Sequence, residues 1–205
     1  MRAARLPLRA YVGRFRRHAR DDGGMAAVEF SLILPMLVLL WIGGVEVTEA
    51  LSVDRRLNNL ASAVGDLIAR DKVVTYAEIT SIFNLGPKAM YPSCKTDAEC
   101  TADKLGIRVT AVNMNGAGSA SVAWTQQQGD LACAPVVSMN VTVPATLRVP
   151  DTQIIMSEVC YTYTPAVGYL VTGSITLNDR MFFVPRLVAK VQRCASDPPP
   201  TTCQS

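Results

Sequence analysis

The stretch Asp21–Val47, DDGGMAAVEFSLILPMLVLLWIGGVEV, decides how this chain is organised. Its central part, Phe30–Val45, carries no charged side chain. A helix that crosses a bilayer needs roughly 20 mostly apolar residues, and the run approaches that length only when it begins at Met25 and includes Glu29. The stretch therefore predicts one transmembrane helix over residues 25–47. A carboxylate at membrane depth costs about 2.5–3.5 kcal/mol, which makes Glu29 a candidate functional residue.

The residues around Glu29 follow the order of a known processing motif. Gly24 is followed by four small or apolar residues, then by Glu29, the aromatic Phe30 and the hydrophobic run. This order resembles the processing site of type IV prepilins, where a membrane-embedded peptidase cuts after the glycine. The wider stretch RRHARDDGGMAAVEFSLILPMLVLL is similar to the N-terminus of the TadE/TadG-like pseudopilin family of tight-adherence (Flp) type IV pilus systems. The resemblance implies that Met25 is the first residue of the mature protein.

The chemistry of this motif is coherent. Gly24 has no Cβ, so it can extend freely in a narrow protease channel. Cleavage would give Met25 a free α-amino group, and Glu29 could neutralise it in a low-dielectric helix bundle, where an unpaired charge is costly. Two alternatives stay open. One is an uncleaved signal anchor that tolerates Glu29, and the other is a signal peptide cut near residues 48–50, which fit the small-residue rule only loosely.

The positive charge of the chain is concentrated before the apolar run, although the net charge is only +3. The arginines of this arm are Arg2, Arg5, Arg9, Arg14, Arg16, Arg17 and Arg20. A basic arm beside a hydrophobic span favours cytoplasmic retention by the positive-inside rule over nucleic-acid binding. We therefore expect a single pass through the inner (cytoplasmic) membrane. Residues 1–24 would be a cytoplasmic leader, and residues 48–195 a periplasmic or extracellular head.

The cysteines agree with export of the head. All six follow the span, and they are Cys94, Cys100, Cys133, Cys160, Cys194 and Cys203. An even set in the exported part indicates disulfide bonds in an oxidising compartment, whereas a zinc site would favour closely spaced CxxC pairs, which this chain lacks. Six cysteines allow 15 pairings. We expect two local pairs, Cys94–Cys100 and Cys194–Cys203, and we assign Cys133–Cys160 as the third.

One continuous helix is expected over residues 25–70. Pro35 should kink its membrane half, and Gly43 and Gly44 would let a partner helix approach closely. Beyond the span, apolar residues recur at helical spacing and predict a face that packs on the head. They are Leu51, Leu57, Leu60, Ala61, Val64, Leu67 and Ile68. Gly65 would be a weak point of this helix.

The head starts with a helix and continues with strands. Thr75–Glu78 is a capping box that begins a second helix, and Gly86-Pro87 should stop it. Alternating patterns then predict strands over residues 105–114, 121–126, 136–149, 154–164, 169–177 and 182–192, with a turn at residues 115–118. Connections too short for crossover helices make the sheet mainly antiparallel and the fold class α+β. Residues 196–205 should form a flexible tail unless Cys203 anchors them.

The head shows no pattern of catalytic or metal-binding residues. The sole histidine, His18, lies in the leader, so His-dependent triads and His metal sites are excluded from the head. The carboxylates are scattered, and Glu158 is expected on an exposed strand face. Lysines are few and no basic stripe alternates with aromatics, which argues against nucleic-acid binding. We expect no enzyme activity, no catalytic residue, no cofactor, no metal and no small-molecule substrate.

These observations favour a non-enzymatic minor pseudopilin, that is, an assembly protein of a tight-adherence system. Its partners would be the inner membrane, a prepilin peptidase and other pilins or Tad assembly proteins. The resemblance implies a minor component because the major Flp pilins are very small. The alternative is an uncleaved, single-span membrane-anchored periplasmic binding module. An anchored hydrolase is disfavoured because the head lacks catalytic groups.

Overall fold

The structure is a computed structural model that describes residues 23–94, 100, 104–117, 119–129, 143–165, 173–195 and 203–205. The chain divides into two compact units, Met1–Val45 and Glu46–Ser205. Most of the predicted leader lies outside the described residues. The fold class is the α+β class expected from the sequence: a long apolar N-terminal helix is followed by a head with a mainly antiparallel sheet.

The first element is the helix α1, Gly23–Ala69, which contains Pro35 and is continuous. This confirms the single helix predicted over residues 25–70. Its head half buries a stripe that agrees with the predicted face at five positions and adds Val53 and Ala69. The buried residues are Val53, Leu57, Leu60, Ala61, Val64, Ile68 and Ala69. The prediction was wrong for Leu51 and Leu67, which are 53% and 38% exposed because they lie beside this stripe and not on it.

Two short helices follow α1 and the strand β1 (Val73–Thr75). They are α2, Tyr76–Phe83, and α3, Gly86–Ala89. The predicted capping box is present: the Thr75 hydroxyl accepts from the Glu78 N–H, and the Glu78 carboxylate accepts from the Thr75 N–H. Gly86-Pro87 does not act as a simple stop, since α2 has already ended and the proline lies in the first turn of α3, where its missing N–H costs nothing.

The main sheet has four antiparallel strands in the order β3-β2-β4-β5. Their bounds are β2, Leu105–Met114; β3, Ala120–Gly129; β4, Gln153–Tyr163; and β5, Ile175–Phe183. The strands predicted over residues 105–114, 121–126 and 154–164 are confirmed. The turn between β2 and β3 is built on Asn115, whose side-chain oxygen accepts from the N–H groups of Ala117 and Ser119. Gly118 of the predicted turn lies outside the described residues.

A second, three-stranded sheet was not predicted. It has the order β1-β6-β7, where β6 is Gln192–Cys194 and β7 is Cys203–Gln204. β1 and β6 are parallel, although the sequence analysis expected antiparallel pairing. The sequence separation between them leaves room for the whole main sheet in the connection, so a parallel pair needs no dedicated crossover helix. β7 pairs with β6, so the end of the chain is anchored at Cys203, while residues 196–202 lie outside the described residues.

Three other strand predictions need correction. Residues 143–149 contain a 3-10 helix, Ala145–Leu147, and no strand, while residues 136–142 lie outside the described residues. Within the strand predicted over residues 169–177, residues 169–172 lie outside the described residues, residues 173–174 are not in a strand, and β5 begins at Ile175. Residues 184–191 contain no strand and form bends at residues 186–190, so the strand predicted over residues 182–192 is also wrong over most of its length. Val184-Pro185 interrupts the pattern because proline cannot donate to a ladder.

The two central strands of the main sheet, β2 and β4, are buried on both faces. One face packs on the head half of α1 through Ile107, Val109, Ile155 and Val159. On the opposite face Val112, Met114 and Ile154 form a smaller cluster with Val143. The central strand β4 is therefore buried along almost its entire length.

Candidate functional site

The processing motif lies at the start of α1. Met25 and Phe30 are 75% and 57% exposed, and Gly24 and Glu29 are exposed as well. Gly24 and Glu29 lie about one and a third turns apart on the helix. The predicted cleavage bond after Gly24 and the Glu29 carboxylate therefore belong to the same short segment. The processing and charge-pairing roles assigned to these residues are predictions.

The three residues predicted to serve helix packing lie further along the same exposed segment. Pro35 is inside α1, and Gly43 and Gly44 are exposed. A Cβ added at Gly43 or Gly44 would meet no atom within 4 Å. These glycines therefore add no Cβ to the helix surface, and close helix packing in membranes uses such small residues. Their role in packing is a prediction.

The described part of the first unit buries almost none of its apolar surface. Leu32, Met36, Leu39, Leu40 and Trp41 are each at least 70% exposed. Among the described residues α1 is the one helix long and apolar enough to cross a membrane, and its most apolar window is not buried in the protein. Apolar surface of this extent is unfavourable in water and requires lipid or other protein around it. One such helix near the N-terminus fits a single-pass membrane protein.

The head contains a buried row of charges that the sequence analysis misplaced. Glu158 was expected on an exposed face, but its side chain is only 4% exposed and lies between two arginines on neighbouring strands. Arg108 donates from Nε and Nη2 to Glu158 Oε2 at 2.8 and 2.7 Å. Arg180 donates from Nε and Nη2 to Glu158 Oε1 at 2.8 and 2.6 Å.

The physical reason for this error is the burial of both faces of β4. An alternating strand with one solvated face would expose Glu158, but the run IIMSEVCY is apolar on both faces, as in a doubly buried strand. The register places Arg108, Glu158 and Arg180 directly opposite one another. A polar residue in a doubly apolar run, with arginines on the flanking strands, is the sequence signal that could have indicated a buried ion pair.

Gly65 is a contact point between α1 and the main sheet. A Cβ at this position would overlap the Phe183 ring of β5 and come within 3.1 Å of the Ser157 Cβ of β4. The glycine is therefore required by the close approach of helix to sheet and is more than the weak point that its helix propensity suggested. Nothing in the local sequence of α1 indicates this contact, because both partners lie more than 90 residues further along the chain.

The end of β4 is joined to the beginning of the second unit. The Tyr163 hydroxyl donates to the Glu46 carboxylate at 3.4 Å. Burial, together with the negative charges of Glu49 and Glu46, raises the pKa of Tyr163 to about 12. All three effects disfavour a phenolate, so this hydroxyl is a donor over the whole physiological pH range.

Two disulfide bonds each link cysteines that lie close together in the sequence of the head. The structure pairs Cys94 with Cys100 and Cys194 with Cys203, which are the two local pairs expected from the spacing. Cys160 is disulfide-bonded, whereas Cys133 lies outside the described residues. Cys194–Cys203 joins β6 to β7, and the adjacent Arg193 reinforces that corner by lying over the Trp124 ring, 5.6 Å from its centroid.

The head also has an open groove of about 350 Å³ between α1 and the two short helices. Its lining is apolar except for Arg56 and Asn59. The Arg56 guanidinium donates to the Tyr91 carbonyl. The side chains that line the groove include no nucleophile–base pair. Within the described ranges no group of three or more His, Cys, Asp or Glu side chains could hold a metal ion.

Together, these features define a class of protein that has a disulfide-bonded α+β head and a long N-terminal helix, α1, whose first part is apolar and exposed. Residues 24–66 match the family model described as TadE-like protein, which confirms the resemblance seen in the sequence for this segment. Over this segment the chain is similar to TadE-like proteins, and the match indicates a membrane protein related to tight-adherence pili. No curated protein and no solved structure matches the chain.

Proposed function

We propose that this protein is a minor pseudopilin, or pilus assembly protein, of a tight-adherence system and that a prepilin peptidase cleaves it after Gly24. The observation that carries the proposal is the exposed apolar segment of α1, which lies in the TadE-like match and bears the Gly24–Glu29 motif at its start. The match itself begins at Gly24. A helix whose apolar surface is exposed among the described residues is suited to a bilayer and to packing among other pilin helices.

Glu29 supplies the assembly chemistry in this proposal. After cleavage, the α-amino group of Met25 is an ammonium inside an apolar bundle, and the Glu29 carboxylate of the same or a neighbouring subunit neutralises it. A buried charge without a partner costs several kcal/mol, so the pair favours the correct axial position of each helix. Gly43 and Gly44 allow the close approach of the neighbouring helix.

The orientation follows from charge. The arginines before Asp21 stay in the cytoplasm, the apolar segment spans the inner membrane, and the head lies in the periplasm or at a filament end. The disulfide bonds support this placement, because bonds such as Cys94–Cys100 persist in oxidising compartments. The partners are the prepilin peptidase and other pilins or Tad assembly proteins.

The decisive measurement is the N-terminus of the mature protein in cells that contain the cognate peptidase. Met25 as the first residue supports the proposal. An intact Met1 would show an uncleaved anchored binding module instead, and a start near Leu51 would show a secreted domain. A Gly24→Val variant should remain uncleaved, because its branched Cβ blocks the extended position that the glycine occupies.

Glu29→Gln tests the assembly step separately from cleavage. We expect normal amounts of protein but at least a ~10-fold loss of incorporation into the assembled complex, since one buried charge pair is lost. Asp54→Asn, an exposed carboxylate on the same helix, is the matched control and should assemble normally. Normal assembly of Glu29→Gln would refute the role of the carboxylate.

A further inference from the structure

The main sheet has one long edge that no described backbone covers. β5, nine residues long, pairs with β4 on one side only. The opposite edge strand, β3, is partly covered, because Arg193 donates to the Thr125 carbonyl and Gln126 donates to α2 at the Tyr76 carbonyl. An exposed edge of this length presents a row of free N–H and C=O groups that only another extended backbone can satisfy together.

A hydrogen bond within β5 shows which backbone groups face outward. The Arg180 N–H donates to the Asp179 carboxylate at 2.7 Å and not to β4. The Arg180 N–H therefore lies on the outer edge, and with the period of two so do the backbone groups of Asn178 and Phe182. Asp179 blocks the middle of this edge, because its carboxylate accepts the hydrogen bond from the Arg180 N–H and keeps that donor from another strand.

The side chains beside this edge define what a new strand would meet. Leu177 and Met181 are half-buried and pack against the core cluster on the α1 side of the sheet. Asp179 lies between them on the same face and is half-buried. On the other face the Arg180 side chain is 36% exposed and paired with Glu158, a carboxylate that it shares with Arg108. The edge thus offers an apolar, an acidic and an apolar position in succession.

We propose that the β5 edge binds an extended segment of a different protein, which adds to the main sheet as a further strand. The segment has a basic residue beside Asp179 and apolar residues two positions away on each side, beside Leu177 and Met181. The basic residue draws the carboxylate away from the Arg180 N–H and frees that donor for the incoming backbone. Cross-strand pairs of opposite charge stabilise a sheet, and the apolar residues extend the core.

The charges argue against a second copy of this chain as the occupant. The antiparallel register that pairs the whole of β5 with itself places Asp179 opposite Asp179. Like charges directly opposite each other are destabilising, and both carboxylates would still block the Arg180 N–H. The edge therefore disfavours its own copy in this register and favours a partner with the opposite charge at this position.

The test is site-specific photo-crosslinking of the full-length chain in the membranes of producing cells. A photoreactive residue replaces Asn178 on the β5 edge or, as the matched control, the exposed Gln127 on β3. We expect an adduct from position 178 with one other protein, mapped to an extended segment with the apolar–x–basic–x–apolar pattern, and no adduct from position 127. Asp179→Lys should lower the yield about 10-fold.

The proposal is overturned by adducts only between two copies of this chain, by no adduct from position 178, or by equal yields at both positions. An unchanged yield in Asp179→Lys also overturns it. If Asp179→Lys fails to accumulate, the isosteric Asp179→Asn replaces it, with an expected loss of about 3-fold. The result is independent of maturation, because the N-terminal residue of the same sample reports separately on cleavage after Gly24.

Discussion

Replacing Glu158 by glutamine is the most informative perturbation of the head. The carboxylate accepts four charge-assisted hydrogen bonds, two of them from Arg108, whose side chain is only 5% exposed. Glu158→Gln keeps the shape but removes the charge, and the new amide N–H group faces guanidinium donors. Breaking one partner of a buried pair costs about 3–5 kcal/mol, a large share of the ~5–15 kcal/mol that stabilises a typical domain.

The assay is equilibrium unfolding in urea of the full chain in detergent, with the disulfide bonds intact. Trp124 reports on the head because it is buried and its Nε1 donates to the Val191 carbonyl at 3.1 Å. Trp41, exposed on the apolar segment, is replaced by phenylalanine in every variant to remove its signal. With a slope of about 2 kcal/mol per molar urea, Glu158→Gln should lower the midpoint by about 2 M.

Two variants separate the charge effect from general damage. Asp179→Asn, a neighbouring and half-exposed carboxylate without an ion pair among the described residues, should cost less than about 1 kcal/mol. Arg108→Met combined with Glu158→Leu removes both buried charges and should recover most of the loss, because well-packed apolar residues replace buried pairs at little cost. A loss below about 1 kcal/mol for Glu158→Gln, or no recovery in the double variant, would refute the reasoning.

Three further predictions concern the packing, titration and capping of the head. Gly65→Ala should destabilise it by about 1–3 kcal/mol in the same urea assay, and Phe183→Ala should relieve part of that loss, because the added Cβ overlaps the Phe183 ring. Stability should fall as the pH rises from about 10 to about 12, because the Tyr163 pKa is raised in the folded state, and Tyr163→Phe should remove that component of the pH dependence. Thr75→Ala should cost about 1 kcal/mol through loss of the capping box, while Thr75→Ser should retain most of it.

Each of these predictions has a result that would contradict it. Additive losses in the Gly65→Ala and Phe183→Ala double variant would show that the two sites do not meet. Identical stability profiles of wild type and Tyr163→Phe above pH 10 would show that the phenol does not titrate as its buried position requires. A Thr75→Ser variant as unstable as Thr75→Ala would mean that the hydroxyl bond to Glu78 is not what caps α2.

Local sequence patterns were enough to predict the elements that depend only on residues a few positions apart in the chain. The apolar run from Phe30 requires a continuous helix, because backbone groups in lipid must be satisfied within the segment. The Thr75–Glu78 box and the alternation of residues 105–114 likewise depend on neighbours a few positions away, and the structure confirms both. The Gly24–Glu29 motif was also visible in the sequence, and the TadE-like match covers it.

Only the tertiary structure decided the features that join distant parts of the chain. Glu158 is buried because β4 is a central strand that is covered on both faces. The sequence of β4 does not indicate which elements cover it. Gly65 is required because Phe183 comes within contact of α1, and the open edge of β5 exists because the strand order ends there. Burial and contact depend on which strands become neighbours, and that is set by packing of the whole head and not by any single segment.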